Sequence, residues 1–430
     1  MPWAILRHCQ SRALPSHVLS AIDKVREWEK NGAGSEVLSF STANDPTRTK
    51  GKIMARTIRV DLTEIRKLKF VGIAMLALGS LCSGQATSSK ADWTQFLRNN
   101  MQRYNPYEHV LNVKNVSRLK VKWTYATNAR VAGSPAVVDG VVYVGGASGA
   151  DGMLYAIDAR TGGTKWTFPG GFGSPAVLDG VVYTGASEAF YALDARTGAE
   201  VWEFPGATGS VPTVADGGVY FCSESNILYA LDAVAGTELW EQVAPGGCAA
   251  AAVAHGLVYT SSDDDGTVYA WDARTGALVW SYETKAVAGD AAPVVANGIV
   301  YAPTNGAGVY AFDARTGAFL WSGPGGTSKT TPAVAGGLLF GSDGLAYALN
   351  ASTGKTVWEG KPAAESSPAL ANGVLYFGCG IYRICAVDAK TGKELWTYKT
   401  HNSVYSSPSV VDGVVYVGSE DRNVYAFSLK

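Results

Sequence analysis

Residues 191–202 read Tyr-Ala-Leu-Asp-Ala-Arg-Thr-Gly-Ala-Glu-Val-Trp, and this stretch decides the fold because it recurs. Related stretches run from Tyr155 to Trp166, Tyr229 to Trp240, Tyr269 to Trp280, Tyr310 to Trp321, Tyr347 to Trp358 and Cys385 to Trp396, and a partial copy begins at Tyr425. Self-similarity at a fixed period means that one supersecondary unit is stacked many times. Within a unit, alternating residues such as Val182, Tyr183, Phe190, Tyr191 and Leu193 suit half-buried strands. Asp-Ala-Arg-Thr-Gly predicts a tight turn, in which the carboxylate accepts backbone N–H groups and Gly supplies positive φ. Upstream lies another strand pair, Ser174 to Val177 and Val181 to Tyr183, joined by the hairpin signal Asp179-Gly180. Four short antiparallel strands per unit make a propeller blade.

The tryptophans count the blades. Trp123, Trp166, Trp202, Trp240, Trp280, Trp321, Trp358 and Trp396 are spaced by 36 to 43 residues, close to the roughly 40–45 that a blade requires. No Tyr-Ala-Leu-Asp stretch precedes Trp123, whereas the last copy, Tyr425-Ala426-Phe427, lacks a fourth strand. Residues Leu119 to Tyr125 are therefore expected to complete the final blade and close the ring. The predicted fold is all-β, an eight-bladed propeller of four-stranded antiparallel blades, in which closure removes edges that would invite aggregation. Each Trp is expected to dock on the neighbouring blade, and the repeated Asp158, Asp194, Asp232, Asp272, Asp313 and Asp388, with Asn350 as a substitute, to shape turns rather than catalyse. Blade three departs from the pattern, with Val234-Ala235-Gly236 in place of Arg-Thr-Gly.

The repeated unit resembles that of the pyrroloquinoline quinone (PQQ) propeller superfamily. The resemblance covers about residues 91 to 430 and includes Asp92-Trp93-x-Gln95-Phe96 and Asn115-Val116-Ser117-x-Leu119. The superfamily holds PQQ-dependent alcohol dehydrogenases and a non-enzymatic periplasmic propeller of the outer-membrane protein assembly machine. The fold is thus strongly implied and the activity is not, because one fold hosts catalysts and scaffolds alike. In the dehydrogenases, the resemblance implies, the quinone stacks on a ring formed by adjacent cysteines near a calcium with acidic ligands. No two cysteines are adjacent in this chain, no Cys-x-x-Cys-His occurs, and the Trp spacing leaves no room for long funnel insertions.

Composition sets the frame around the repeat. A chain of 430 residues that is 47% hydrophobic and 17% charged, with 50 Gly, is globular and rich in turns. A net charge of -1 argues against nucleic acid as a partner. Residues 1–53 show no repeat and no clear strand pattern and read as an over-extended start, or as a structured extension with Ala21 to Lys30 as a short helix. Residues 54–86 read as a secretory signal: Arg56, Arg59, Arg66, Lys67 and Lys69 precede the apolar run Phe70 to Leu81, and Gly84-Gln85-Ala86 offers a cleavage site. The apolar run is shorter than the roughly 20 residues a permanent span needs. Cys82 raises lipid anchoring as an alternative, with Leu81 before it unfavourable for that processing. Residues 87–116 then form a lead-in and 117–430 the propeller, with a destination in the periplasm or outside the cell.

An exported chain with an even number of remaining cysteines favours disulfides. Cys379 with Cys385 would cross one hairpin, and Cys222 with Cys248 would join two loops on one face; four reduced thiols are the alternative. The acidic run Asp263-Asp264-Asp265-Gly266 partly matches a calcium loop, but Thr267 to Asp272 reads as a strand, so a surface turn is expected and no metal site is assigned.

The residues three before the first-strand prolines are expected to ring one channel mouth. There Asp290, Lys329, Glu365 and Tyr405 form the candidate ligand site, with His401 nearby; a Lys between two carboxylates suits a polar ligand or a shifted pKa. A set of ion pairs that satisfies itself in a wet funnel is the plainer alternative. The expected function is a monomeric, non-catalytic scaffold that holds an envelope protein or peptide, without a cofactor. The alternatives are a minimal PQQ- and calcium-dependent dehydrogenase of alcohols or sugars, and a small-ligand or carbohydrate-associated module.

Overall fold

The computed structural model describes residues 89–430, except 99, 100, 147–151, 208, 210, 249, 285, 287–290, 326–329, 343, 361 and 430, together with the backbone of residues 37–40 and 58–61. Contacts divide the chain into two units, 1–86 and 87–430. In the first, Val37–Phe40 pairs antiparallel with Ile58–Asp61. This departs from the reading of residues 1–53 as lacking strands; both segments carry the β-branched and aromatic residues that suit a strand. Ile58–Asp61 falls within the segment read as a secretory signal; the rest of the extension and of that segment, with Cys9 and Cys82, lies outside the described residues.

The second unit is an eight-bladed propeller. Blades 1 to 7 occupy residues 136–169, 172–205, 213–243, 252–283, 294–323, 333–360 and 369–399, each an antiparallel sheet in chain order. Blade 8 takes three strands from residues 409–428, and Lys120–Ala126 pairs with Asn423–Ser428 as its outer strand, with Trp123 opposite Ala426. The ring is closed by this pairing, as the Trp spacing requires. Each first strand adjoins the first strand of the next blade, and that of blade 8 adjoins that of blade 1.

Blade 4 shows why the sequence folds this way. Leu257–Ser261 and Thr267–Asp272 are buried along nearly their whole length, because both faces of a middle strand meet a neighbouring blade. Its outer strand, Leu278–Glu283, instead alternates, and Trp280 is the residue turned inward. A bulge between Ala270 and Trp271 sets that register.

Seven of the eight tryptophans dock in one way, and the eighth, Trp396, donates to Leu119 O at the ring closure, at 3.1 Å. The Trp166 ring N–H donates to the carbonyl of Ala195 in blade 2 at 2.9 Å, Trp280 to Ala314 at 3.0 Å, and Trp123 to Ala159 at 3.0 Å. In six blades a Tyr of the second strand donates to the same carbonyl as its Trp, as Tyr259 does to Ala314 at 3.0 Å. The turn glycine has a second role that spacing does not reveal. Gly317 has φ +70°, and a Cβ built there would lie 2.6 Å from the Trp280 ring. The turn glycine of blades 1 to 7 is thus the floor on which the indole of the preceding blade rests.

The turn carboxylates act locally. Asp158 Oδ1 accepts from the Arg160 and Thr161 amides and the Thr161 hydroxyl, and hydrogen bonds of this kind hold the Asp158, Asp272 and Asp313 carboxyls below the usual range. In blade three Asp232 still accepts from the Val234 and Ala235 amides at 2.9 and 2.7 Å. The turn survives there because it needs backbone donors and the glycine, not the Thr hydroxyl.

Candidate functional site

The channel has two different ends. At one, the lead-in segment runs across the first strands. Trp93 exchanges backbone hydrogen bonds with Val137 of blade 1, and Thr94 O accepts from Val177 of blade 2. The Gln95 side chain accepts from the Val214 amide of blade 3 at 2.8 Å. The carbonyls of Met101, Gln102 and Arg103 accept from Val295, Val334 and Leu370 of blades 5, 6 and 7. Tyr104–Asn105 then pairs parallel with Leu370–Ala371, so blade 7 has a fifth strand, and Asn105 Nδ2 donates to Val410 O of blade 8 at 2.8 Å. Arg103 is fully buried: it donates to the carbonyls of Phe96, Pro368 and Pro408 and stacks on Phe96 and Trp93. Burial pushes its guanidinium below the usual Arg range.

The other end is the mouth where the first strands begin. A belt of hydroxyls links the blades there: the amides of Ala292, Thr331, Ser367, Ser407 and Ser134 donate to Thr331, Ser367, Ser407, Ser134 and Ser174. This belt joins blades 5, 6, 7, 8, 1 and 2. Its signal was present in the sequence as Ser-Pro or Thr-Pro at the start of most first strands, but spacing along one chain does not show that a hydroxyl serves the next blade.

Of the expected mouth residues, Asp290 and Lys329 lie outside the described residues. Glu365 is half-buried on the approach to blade 7, where its amide donates to Gly378 O at 2.7 Å. Among the described residues one of its carboxyl oxygens is buried without a hydrogen-bond partner, and loss of solvation pushes its pKa up. Tyr405 is exposed. His401 is held away from such chemistry: its amide donates to Asp421 at 3.0 Å and its ring lies 3.8 Å from that carboxylate. The Tyr425 hydroxyl occupies the same oxygen at 2.7 Å.

Two disulfides lie on this side. Cys222, at the end of the second strand of blade 3, is bonded to Cys248, which leads into blade 4. Cys379 and Cys385 cross the hairpin of blade 7, next to Glu365, and both are buried. Neither bond makes the ring of adjacent cysteines on which the resemblance would stack a quinone, since the partners are 26 and 6 residues apart. Among the described residues no group of His, Cys, Asp and Glu side chains is assembled to hold a metal. The described residues thus do not fit a bound quinone and its calcium. The run Asp263–Asp265 is a turn: the Asp263 and Asp264 amides donate to Gly246 O, and Asp272 lies at the far end of the Thr267–Asp272 strand.

The outer rim is a third surface. In blades 1 to 6 the two residues before the Trp are exposed, while in blades 7 and 8 Leu395 and Val121 are half-buried beside the exposed Glu394 and Lys122. Blades 1 and 8 place Lys165 and Lys122 there, and blades 2, 3 and 7 place Glu200, Glu238 and Glu394. Blade 4 instead exposes Leu278 and Val279 (52% and 47%), and blade 5 exposes Phe319 and Leu320 (45% and 46%). Tyr282 stacks on Phe319 across the gap, so the two edges form one apolar surface. Outermost strands carry unpaired N–H and C=O groups, which charged side chains ordinarily protect.

Family models match most of the chain. The model described as outer membrane protein assembly factor BamB matches residues 151–255, 186–340, 235–367 and 342–430. The model described as the glucose/ethanol/alcohol dehydrogenase β-propeller domain matches residues 93–174. The dehydrogenase subunit of a quinone alcohol dehydrogenase from Gluconobacter oxydans (strain 621H) is 36% identical over 80 residues, which is 18% of this chain and 10% of that protein. The chain therefore spans a small part of that relative's length. Among solved structures, a europium-containing methanol dehydrogenase superposes with a TM-score of 0.68 at 17% identity, over 79% of this chain and 98% of that one. BamB from Moraxella catarrhalis superposes at 0.61 and 20% identity, over 72% and 99%. Such likeness shows a shared fold. Among the described residues no helix is long and apolar enough to cross a membrane.

Proposed function

The chain belongs to the PQQ-repeat β-propeller superfamily, and on that footing we propose that it is an exported, monomeric, non-catalytic scaffold that holds a polypeptide of the cell envelope. The observation that carries this reading is the apolar edge of blades 4 and 5. Leu278, Val279, Phe319 and Leu320 make both positions apolar in two adjacent blades, where blades 1, 2, 3, 7 and 8 carry a Lys or Glu at one of the two and blade 6 carries Thr356, and an extended segment laid along such an edge gains main-chain hydrogen bonds together with burial of alternate side chains. The two disulfides support a site of action outside the reducing cytoplasm, as does the match to a family named for outer-membrane assembly. A photo-crosslinking residue placed at Val279 or at Lys165 tests the proposal in the native host. The scaffold reading expects a protein adduct at Val279 that is absent at Lys165 and lost on Leu320→Lys; equal labelling at both sites, or none at Val279, refutes it.

A second reading, a minimal quinone-dependent dehydrogenase of alcohols or sugars, is favoured by the unpartnered Glu365 oxygen at the mouth and by the match to an alcohol dehydrogenase subunit. Calorimetric titration of the full chain with PQQ, with and without calcium, separates the two. Saturable one-to-one binding that Glu365→Gln abolishes would replace the scaffold reading with this one; no heat under either condition leaves the scaffold reading in place.

A further inference from the structure

The lead-in segment meets the first strands in a regular series, and blade 4 breaks it. The penultimate residue of the first strand offers its amide to the segment in blades 1, 2, 3, 5, 6 and 7, through Val137, Val177, Val214, Val295, Val334 and Leu370, and in blade 8 the segment instead reaches the carbonyl of Val410 through Asn105. Val253 occupies the same register in blade 4, one residue before the end of its strand, but its amide has no such partner among the described residues. At that place a cavity of about 370 Å³ opens between the segment and the ends of the first strands of blades 2, 3 and 4. This lies within the size range of small-molecule sites.

The polar groups around the cavity are of two kinds. Val253 and the buried Thr94 line its inner part, while Asp216 and His255 line its rim from adjacent blades. His255 is unusual for its place. The hairpin turns between first and second strands need positive φ, and the other blades meet that need with Asp139, Asp179, Asp216, Asn297, Gly336, Asn372 and Asp412. His255 adopts the same conformation, with φ +55°, and adds a ring that both donates and accepts, which the turn itself does not require. The imidazole and the gap in the series thus coincide at one blade.

We propose that this cavity binds a small neutral polyhydroxyl compound, a sugar or sugar alcohol, at the end of the channel opposite Glu365. A hydroxyl can accept from the Val253 amide and donate to Asp216, so it answers both kinds of group at once. A carboxylate would meet Asp216, and an ammonium ion would leave the Val253 donor without a partner. The alternation of apolar wall, supplied by Met101, Leu178 and Val214, with these polar groups suits a ring that has apolar faces and a polar edge. The site is independent of the rim and of the scaffold reading.

Isothermal titration of the full chain with D-glucose and with sorbitol tests this, with succinate and ethanolamine as charged controls. Saturable binding of a polyol is expected, about tenfold weaker for Asp216→Asn and for His255→Asn. Asn stands at this turn position in blades 5 and 7, so both variants should keep the wild-type melting temperature. As a second readout, the bound polyol should slow hydrogen exchange at the Val253 amide. The proposal is overturned if neither polyol binds, if both variants bind it as the wild type does, if Val253 exchange is unchanged at saturation, or if a charged control binds in preference.

Discussion

Replacing Gly317 with Ala should destabilise the propeller through a residue in a different blade, Trp280. Two costs combine at Gly317. Its φ of +70° is a conformation that costs a residue with a Cβ about 1–2 kcal/mol, and the added methyl would lie 2.6 Å from the Trp280 ring, overpacking that costs about 1–3 kcal/mol. Trp280→Ala alone removes a ring that is 8% exposed and donates to Ala314 O, for about 3–5 kcal/mol. In the double variant the methyl has no ring to meet, so only the conformational cost of Gly317→Ala persists. The double variant should therefore be more stable than the sum of the singles predicts by about 1–3 kcal/mol. Urea unfolding followed by far-UV circular dichroism measures all four proteins. Additivity within about 0.5 kcal/mol, or an unchanged midpoint for Trp280→Ala, would refute the docking of indole on glycine as the link between blades.

The same logic separates two tyrosines. Tyr259 donates to Ala314 O at 3.0 Å, so Tyr259→Phe should cost about 1 kcal/mol, whereas the buried Tyr376 hydroxyl has no partner among the described residues and Tyr376→Phe should be neutral or stabilising in the same urea assay. Cys222, Cys248, Cys379 and Cys385 should resist alkylation on denaturation without reductant; mass spectrometry reads this directly. Removing the Cys222–Cys248 bond, with a separation of 26 residues, should cost about 1 kcal/mol more than removing Cys379–Cys385, with a separation of 6, because it closes the longer loop. Burial and the nearby Asp139 push the Asp92 carboxyl up from 3.8 to about 6. The folded state then holds this proton more tightly than the unfolded chain, so the associated stability is full below pH 3.8 and declines until about pH 6. Asp92→Asn should remove that decline in pH-dependent melting; an unchanged profile would contradict it.

The fold was legible because its determinants are local and repeated. The alternation around Tyr191, the Asp-x-x-Thr-Gly turn and the Trp at each unit's end state strand, turn and docking group in order, and repetition makes each reading check the others. Ring closure was legible as well, since the strand before Trp123 is the one the last copy lacks. What remained hidden depends on residues meeting across blades. Ser134, Ser174, Ser367 and Ser407 read as ordinary residues before proline, and their role as a belt exists only when the next blade's amide comes within reach. Arg103 gave no signal of being fully buried, because the carbonyls of Pro368 and Pro408 that hold it are distant in the chain.

Function divides along the same line. Local sequence could say that Asp158 and its counterparts shape turns, because the amides they bind lie two and three residues away. It could not say that Leu278 and Phe319 share one exposed edge, or that, among the described residues, Glu365 keeps a bare carboxyl oxygen and the Val253 amide finds no acceptor on the lead-in. Those depend on which surfaces remain uncovered after eight units close into a ring. A repeat dictates how a unit pairs with its neighbour; the surfaces it leaves free are a property of the closed assembly.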